Sequence, residues 1–212
     1  MYIPDKFRED DIETLHAFIR EHSFGILVTQ MDGAPFATHL PFLFDADRGS
    51  HGMLRAHMAR ANPHWRSFNE QEALVIFQGP HAYVSPSWYE VELSVPTWNY
   101  AAVHAYGIPR LIEDSAVLYD QLKTLVQIHE AQFEQPWPFP LPEDYVQKMM
   151  RGVVGFTLAI TRLEGRGWIR AVESDDRRRP YRITAAGRHY LEEQLASLDR
   201  VLRTAIGRLK HA

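Results

Sequence analysis

Residues 24–44, FGILVTQMDGAPFATHLPFLF, decide the fold because they join two apolar strands through a hairpin turn. Asp32-Gly33 is the strongest hairpin signal in the chain, since a two-residue type I′ turn needs positive φ at both positions. Phe24 to Gln30 is predicted as one strand and Ala34 to Phe44 as its antiparallel partner, with Pro41 marking an edge or a bulge. The main sheet therefore starts as an antiparallel pair.

Shorter strand and helix patterns surround this hairpin. Further strands are predicted around Met53 to Met58, over Ala73 to Gln78, once or twice within Trp98 to Ile112, and over Val153 to Thr161. Helical segments are predicted from an Asp10–Glu13 cap, around Pro63 and Trp65, over Asp114 to Phe133, and in a short helix to Met150. Several short strands with few helices favour a small antiparallel barrel.

Length and composition are those of a globular protein with one substantial domain and an appendage. The chain has 212 residues, of which 45% are hydrophobic and 24% charged. No apolar run of about 18 residues predicts a membrane span, and no secretory signal is visible. The absence of cysteine excludes disulfides, thiolate metal sites and cysteine nucleophiles. We expect a cytoplasmic protein.

The net charge of −4 conceals an asymmetry between the body and the tail. Residues 161–212 carry twelve Lys and Arg against seven acidic residues, whereas residues 1–160 carry eleven against twenty. Only the basic tail could therefore contact a polyanion such as DNA.

The body lacks the common catalytic signatures. It contains no GxSxG, HExxH, Walker-type or GxGxxG motif. The eleven histidines are scattered, and a lone histidine such as His81 or His104 more often has a structural role than a ligand role. We predict no catalytic residue and no metal site, and the sequence leaves open whether the protein is an enzyme.

Three segments at strand ends combine aromatic, hydroxyl, amide and basic side chains. They are LRAHMARANPHW (54–65), IFQGPHAYVSPSWY (76–89) and VPTWNYAAVHAYG (95–107). This mixture suits a flat aromatic ligand with an anionic tail, because rings stack while arginine and hydroxyl groups bind phosphate. The alternative is a barrel rim with ordinary capped loops.

These segments, together with MYIPDKF, THLPFLFD and ITRLEG in the same order, closely resemble the PaiB-type FMN-binding negative transcriptional regulators. The resemblance spans residues 1 to about 165. It implies an α+β fold, a split β-barrel of the pyridoxamine-phosphate-oxidase-like type with peripheral helices. It also implies a homodimer with FMN at the subunit interface, and an FMN-binding domain over residues 1–164.

Cofactor-binding residues are predicted from this resemblance and from the chemistry of the three segments. Those expected near the phosphate and ribityl chain are Arg55, His57, Arg60 and Asn62, and those around the ring are Ser85, Ser87, Trp88 and Asn99, with His39 as a further candidate. For Trp88 and Trp98 the alternative is packing at the dimer interface. For Arg55 and Arg60 the alternative is a surface ion pair.

Residues 165–212 resemble the second half of a PadR-type winged-helix regulator, with a wing hairpin and a long amphipathic helix. Leucines and one alanine from Leu191 to Leu209 follow an a/d spacing that could add a dimer contact. Arg177, Arg178, Arg179 and Arg182 lie on the predicted wing and are candidate contacts to DNA phosphates. The alternative is a solvated loop that Asp175 and Asp176 neutralise.

The function that these observations favour is an FMN-binding dimeric negative transcriptional regulator of the PaiB type. A second hypothesis is a flavin-dependent oxidoreductase, because the same superfamily contains enzymes. A third is a barrel that has lost its flavin and persists as a dimeric scaffold.

Overall fold

The computed structural model describes residues 1–88, 95–137 and 141–167, with Trp88 described by its backbone alone. The chain divides into two units, residues 1–80 with 100–168 and residues 81–99 with 169–212. The predicted wing, its four arginines and the heptad helix lie outside the described residues. No described helix is long and apolar enough to cross a membrane.

The described residues form eight strands in one sheet. The strands are β1 (Arg8–Glu9), β2 (Phe24–Met31), β3 (Ala34–Pro41), β4 (Leu43–Asp45), β5 (Met53–Ala59), β6 (Ala73–Val84), β7 (Thr97–Leu111) and β8 (Val153–Arg166). Their order is β3-β2-β6-β7-β8-β5-β4, and β1 pairs with β8. Because β3 also contacts β5, the sheet curls back on itself as a small, mostly antiparallel barrel.

The hairpin prediction is confirmed. Asp32 and Gly33 have φ of 53° and 79°, as a type I′ turn requires. The strands pair in register from Phe24 opposite Pro41 to Met31 opposite Ala34.

The predicted return strand is in fact two strands. Pro41 ends β3 because it has no N–H for the ladder, and β4 then pairs with β5, with Leu43 opposite Arg55.

Three helices cover the sheet in the described part of the chain. They are α1 (Ile12–Glu21), α2 (Ser115–Glu130) and α3 (Glu143–Met150), with single 3-10 turns at Asp5–Phe7, Pro63–Ser67 and Pro86–Trp88. The α1 cap is Asp11, whose carboxylate accepts from the Thr14 N–H at 2.9 Å, one residue later than predicted. Leu15 and Ile19 of α1 pack into the barrel core.

The later strands are longer than predicted. Of the one or two strands predicted within Trp98 to Ile112, the structure has one, β7, with a bulge between Tyr106 and Gly107 that keeps it paired to β8. A Cβ atom at Gly107 would lie 2.3 Å from the backbone oxygen of Ala159, so only glycine fits there. β8 continues to Arg166, two residues beyond residue 164, and the domain boundary there stays a prediction.

Candidate functional site

The segment LRAHMARANPHW contains all of strand β5 except Met53, followed by the start of the 3-10 turn Pro63–Ser67, and this division separates the predicted ligand residues. Arg55 and His57 lie on β5 and alternate with buried core residues. Arg60 and Asn62 lie beyond the end of the strand. The two pairs therefore have different surroundings although all four residues lie within the eight positions 55–62.

Arg60 is exposed but held in place. Its backbone N–H donates to the oxygen of Gly152 at 2.8 Å. Its Nε donates to the oxygen of Arg151 at 2.8 Å, and its Nη2 donates to the oxygen of Val153 at 2.9 Å. The ion-pair alternative does not describe this residue, since its partners are carbonyl groups. The Nη1 group keeps two hydrogens for a ligand.

Asn62 caps the 3-10 turn and is half-buried. Its Oδ1 accepts from the backbone N–H of His64 at 3.0 Å, and its Nδ2 donates to Thr38 Oγ1 at 3.2 Å. One amide hydrogen of Asn62 remains. The Trp65 indole donates to the oxygen of Arg60 at 3.1 Å and ties the turn to the strand end. We call Arg60 and Asn62 the turn site.

His64 supports the turn site and was not predicted from the sequence. The side chain is fully buried, and burial lowers its pKa. Its Nδ1 lies 2.7 Å from Thr38 Oγ1 and its Nε2 lies 2.8 Å from Thr29 Oγ1. The Asn62-Pro63 pair signals the start of a helical turn, but no local pattern distinguishes a buried histidine at its second position from an exposed one.

Arg55 is engaged with a carboxylate. Its Nη2 donates to Asp45 Oδ1 at 3.0 Å, and its Nε lies 2.8 Å from Oδ2. The two side chains are 14% and 25% exposed, so the pair is partly buried. Arg55 is thus in an ion pair, and its predicted contact with FMN stays a prediction. Both residues line a surface pocket of about 430 Å³, together with Arg20, Arg48 and Asp120.

His57 lies on the face of β5 that α2 covers. It is paired across the sheet with Gly155, where a Cβ atom would lie 2.5 Å from Leu118 Cδ1 of α2. Gln121 of α2 donates to the backbone oxygen of Ala56 at 2.8 Å. Within the described residues, His57 Nδ1 is buried without a hydrogen-bond partner. Burial lowers the pKa of His57, so the ring stays neutral near pH 7.

His39 is exposed on β3. Its ring stacks at 6.4 Å on that of Phe24, another exposed side chain. Thr38, the residue before it, points to the opposite face and reaches His64. His39 therefore presents an open aromatic surface rather than a buried contact.

The remaining predicted residues belong to the second unit and are described there. Ser85 and Ser87 bond to each other at 2.8 Å between their hydroxyl oxygens. Trp88 ends a 3-10 turn, and the prediction for its side chain lies outside the described residues. Asn99 is half-buried beside Trp98, whose exposed ring packs against His81 and Tyr83 at 6.0 and 5.9 Å.

The turn site fits a phosphorylated ligand such as FMN. The groups left for a ligand are three guanidinium hydrogens of Arg60, two on Nη1 and one on Nη2, and one amide hydrogen of Asn62, which are all donors. Phosphate and ribityl oxygens accept such bonds, and the fixed backbone lowers the entropy cost of forming them. No group of His, Asp or Glu in the described ranges could hold a metal ion.

Comparison with known proteins agrees with this chemistry. Residues 1–162 match a family model described as "Putative FMN-binding domain". Protease synthase and sporulation protein PAI 2 of Bacillus subtilis is 40% identical over 163 residues, 76% of this chain and 77% of that protein. An uncharacterized protein of Emericella nidulans is 32% identical, over 78% of this chain and 82% of its own.

Solved structures with the same fold are more distant in sequence. The flavocytochrome Anf3 of Azotobacter vinelandii superposes with a TM-score of 0.60 at 16% identity, covering 89% of this chain and 78% of its own. A FAD and heme binding protein of Mycobacterium smegmatis superposes with a TM-score of 0.58 at 16% identity, covering 80% of this chain and 78% of its own. At such identities the likeness shows the fold alone, a split β-barrel.

Proposed function

The chain belongs to the family of FMN-binding domains whose model it matches over residues 1–162, and from that membership we propose that it is a dimeric, PaiB-type negative transcriptional regulator. FMN is its cofactor. The observation that supports a phosphate site is the fixed, donor-only turn site, in which Arg60 donates to three backbone oxygens and still offers Nη1 to a ligand.

In this proposal the turn site binds the phosphate end of FMN. Arg60 supplies the positive charge, and Asn62 donates one hydrogen bond to a phosphate or ribityl oxygen. Ser85, Ser87, Trp88 and Asn99 stay predictions for the ring end, and His39 stays a further candidate. When bound, FMN would supply a redox-active, visibly absorbing ring.

An FMN titration of the purified protein tests the cofactor site. We expect a dissociation constant of about 1 μM or tighter, from the visible spectrum with and without added FMN. Arg60→Ala should weaken binding by about 1.5–3 kcal/mol, because a charge-assisted bond to phosphate is lost. An unchanged titration curve for Arg60→Ala would remove the turn site from the proposal.

The regulator role requires contact with DNA, for which Arg177, Arg178 and Arg179 are the proposed phosphate ligands. Changing all three to serine should lower the slope of log affinity against log salt by up to about three units. Fluorescence anisotropy of a labelled duplex over a salt series measures this slope. An equal slope for the altered and unaltered chains would mean that these arginines do not hold DNA.

Two further measurements separate this proposal from the oxidoreductase hypothesis. Light scattering at tens of micromolar should give a dimer, and a monomer would contradict the interfacial cofactor site. Steady-state oxidation of NADH or NADPH by the FMN-loaded protein would instead favour the enzyme. We expect no such turnover from a regulator.

A further inference from the structure

A chain of hydrogen bonds supports Asn62 from inside the barrel. Asn62 Nδ2 donates to Thr38 Oγ1, which lies 2.7 Å from His64 Nδ1. His64 Nε2 lies 2.8 Å from Thr29 Oγ1, and that oxygen lies 2.8 Å from Ser67 Oγ. Ser67 in turn donates to the backbone oxygen of His64 at 2.7 Å. The chain thus connects a half-buried amide to a buried carbonyl group.

The buried end of this chain fixes its direction. The backbone oxygen of His64 can only accept, so it takes the single hydroxyl hydrogen of Ser67. Thr29 must therefore donate to Ser67, and His64 Nε2 must donate to Thr29. Because burial lowers the pKa of His64, the ring is neutral and carries one hydrogen. Nδ1 is then an acceptor, and Thr38 donates to it.

The outer end of the chain fixes the amide of Asn62. The backbone N–H of His64 can only donate, so the atom of Asn62 that it contacts is the amide oxygen. The amide nitrogen consequently faces Thr38. Since the hydroxyl hydrogen of Thr38 goes to His64, the Thr38 oxygen is free to accept from Asn62. The second amide hydrogen of Asn62 is left for a ligand.

We propose that His64, acting through Thr38, is the positioning residue that orients Asn62 for FMN, an inference that rests on the proposed function. The neutral Nε2–H tautomer keeps the Thr38 hydroxyl turned toward the ring. Thr38 then receives one amide hydrogen of Asn62, and the other binds a phosphate or ribityl oxygen. The His64 ring is fully buried and acts on Asn62 through this contact, while its backbone N–H holds the amide oxygen of Asn62 directly.

Two valine variants of the full-length chain test the proposal, because valine keeps the shape of threonine and removes its hydroxyl. Thr38→Val removes the support of Asn62 and should weaken FMN binding about tenfold. Thr29→Val removes hydrogen bonds at the other end of the chain and leaves Thr38, His64 Nδ1 and Asn62 connected. It removes the acceptor of His64 Nε2–H as well, so it should lower the unfolding temperature and weaken FMN binding clearly less than Thr38→Val does.

The Thr38→Ser variant restores the hydroxyl and should recover most of the affinity. Equal weakening by the two valine variants would indicate a general structural role and overturn the proposal, as would full affinity in Thr38→Val. His64→Ala is unsuitable because it would remove the ring that both Thr29 and Thr38 contact and leave a cavity at a fully buried position.

The tautomer supplies a readout that does not depend on FMN. Long-range ¹⁵N–¹H correlation spectra of the labelled protein at pH 7 should show His64 protonated at Nε2 and unprotonated at Nδ1. The Nδ1–H tautomer would overturn the proposal even if FMN binds. Failure of the unaltered chain to bind FMN would overturn the proposed function, and the role of His64 with it, even where the tautomer is the expected one.

Discussion

The turn site and the α2-covered face of β5 both place polar side chains beside the core. The two regions differ in how far the protein itself provides hydrogen-bond and charge partners for those side chains. At the turn site, the polar atoms of Asn62 and Arg60 that face the protein have partners, and their remaining donors are left for a ligand. On β5, Arg55 is neutralised by Asp45, and His57 keeps a buried nitrogen without a partner in the described residues.

The difference indicates which residues can recognise an anion. An arginine whose charge already meets a carboxylate gains less from a phosphate, because the ion pair must first be broken. An arginine held by carbonyl oxygens keeps its full charge and needs no rearrangement. Arg60 thus meets the requirement for a phosphate ligand better than Arg55 does.

The largest expected effect is on stability at β5. Arg55→Ala should lower the free energy of unfolding by about 2 kcal/mol, because Asp45 is left partly buried with the more distant and more exposed Arg48, at 3.8 Å, in place of its closest partner. FMN affinity should stay within about twofold. Urea unfolding and FMN titration of the same preparation measure both quantities. A tenfold loss of FMN affinity without loss of stability would return Arg55 to the cofactor site.

A double-mutant cycle separates the ion pair from packing. Asp45→Ala combined with Arg55→Ala should cost less than the sum of the single changes, since neither charge is then left alone. Strict additivity would mean that the pair contributes little to stability.

The second effect is on the pH dependence of stability. Burial lowers the pKa of His57, so the unfolded chain binds a proton at this residue before the folded protein does as the pH falls below about 6.5. The contribution of His57 to the free energy of unfolding is therefore complete above about pH 6.5, and it is lost as the pH falls toward and through the lower pKa that His57 has in the folded protein. One such proton changes the unfolding free energy by up to about 1.4 kcal/mol per pH unit.

His57→Phe should therefore flatten the slope of unfolding free energy between pH 6.5 and pH 5, measured by urea unfolding at each pH. Burial also lowers the pKa of His64 and His104, so part of the slope should persist. The same slope in the variant would show that His57 takes up its proton equally in both states.

The fold was largely predictable because its signals are local. Asp32-Gly33 fixes the hairpin through backbone conformation, and the alternating pattern of β5 places Leu54 and Ala56 inside. The break between β3 and β4 was missed, although Pro41 was recognised as an edge or bulge. Whether a proline ends a strand or bends it depends on the neighbouring strand, and β4 leaves β3 to pair with β5.

The site was less predictable because its partners are distant in sequence. Arg60 meets Arg151 and Val153, and Asn62 meets Thr38, through contacts that only the closed barrel creates. The motif LRAHMARANPHW carries the right residue types, yet it does not say which of its side chains are neutralised by the protein itself. Arg55 is neutralised by Asp45, which lies in another strand and outside the motif.

The smallest expected effect concerns the rigidity of the turn site. Trp65 is half-buried, and its indole N–H holds the backbone oxygen of Arg60 at 3.1 Å. Trp65→Phe keeps an aromatic ring against the core but removes this hydrogen bond. The backbone of the turn should then be less rigid in the FMN-free protein. We expect FMN affinity to fall two- to threefold, or about 0.5 kcal/mol, which is at the low end for one neutral hydrogen bond.

The matched control is His57→Phe, which also places a phenylalanine on this segment but does not touch the turn site. Its FMN affinity should equal that of the unaltered chain at pH 7, as measured by flavin fluorescence. If Trp65→Phe also binds FMN with unchanged affinity, the indole bond does not contribute to preorganisation. The carbonyl contacts of Arg60 and the cap of Asn62 would then be sufficient to hold the turn. If both variants bind more weakly by the same factor, the effect comes from general softening of the segment, and the contrast between the turn site and β5 fails.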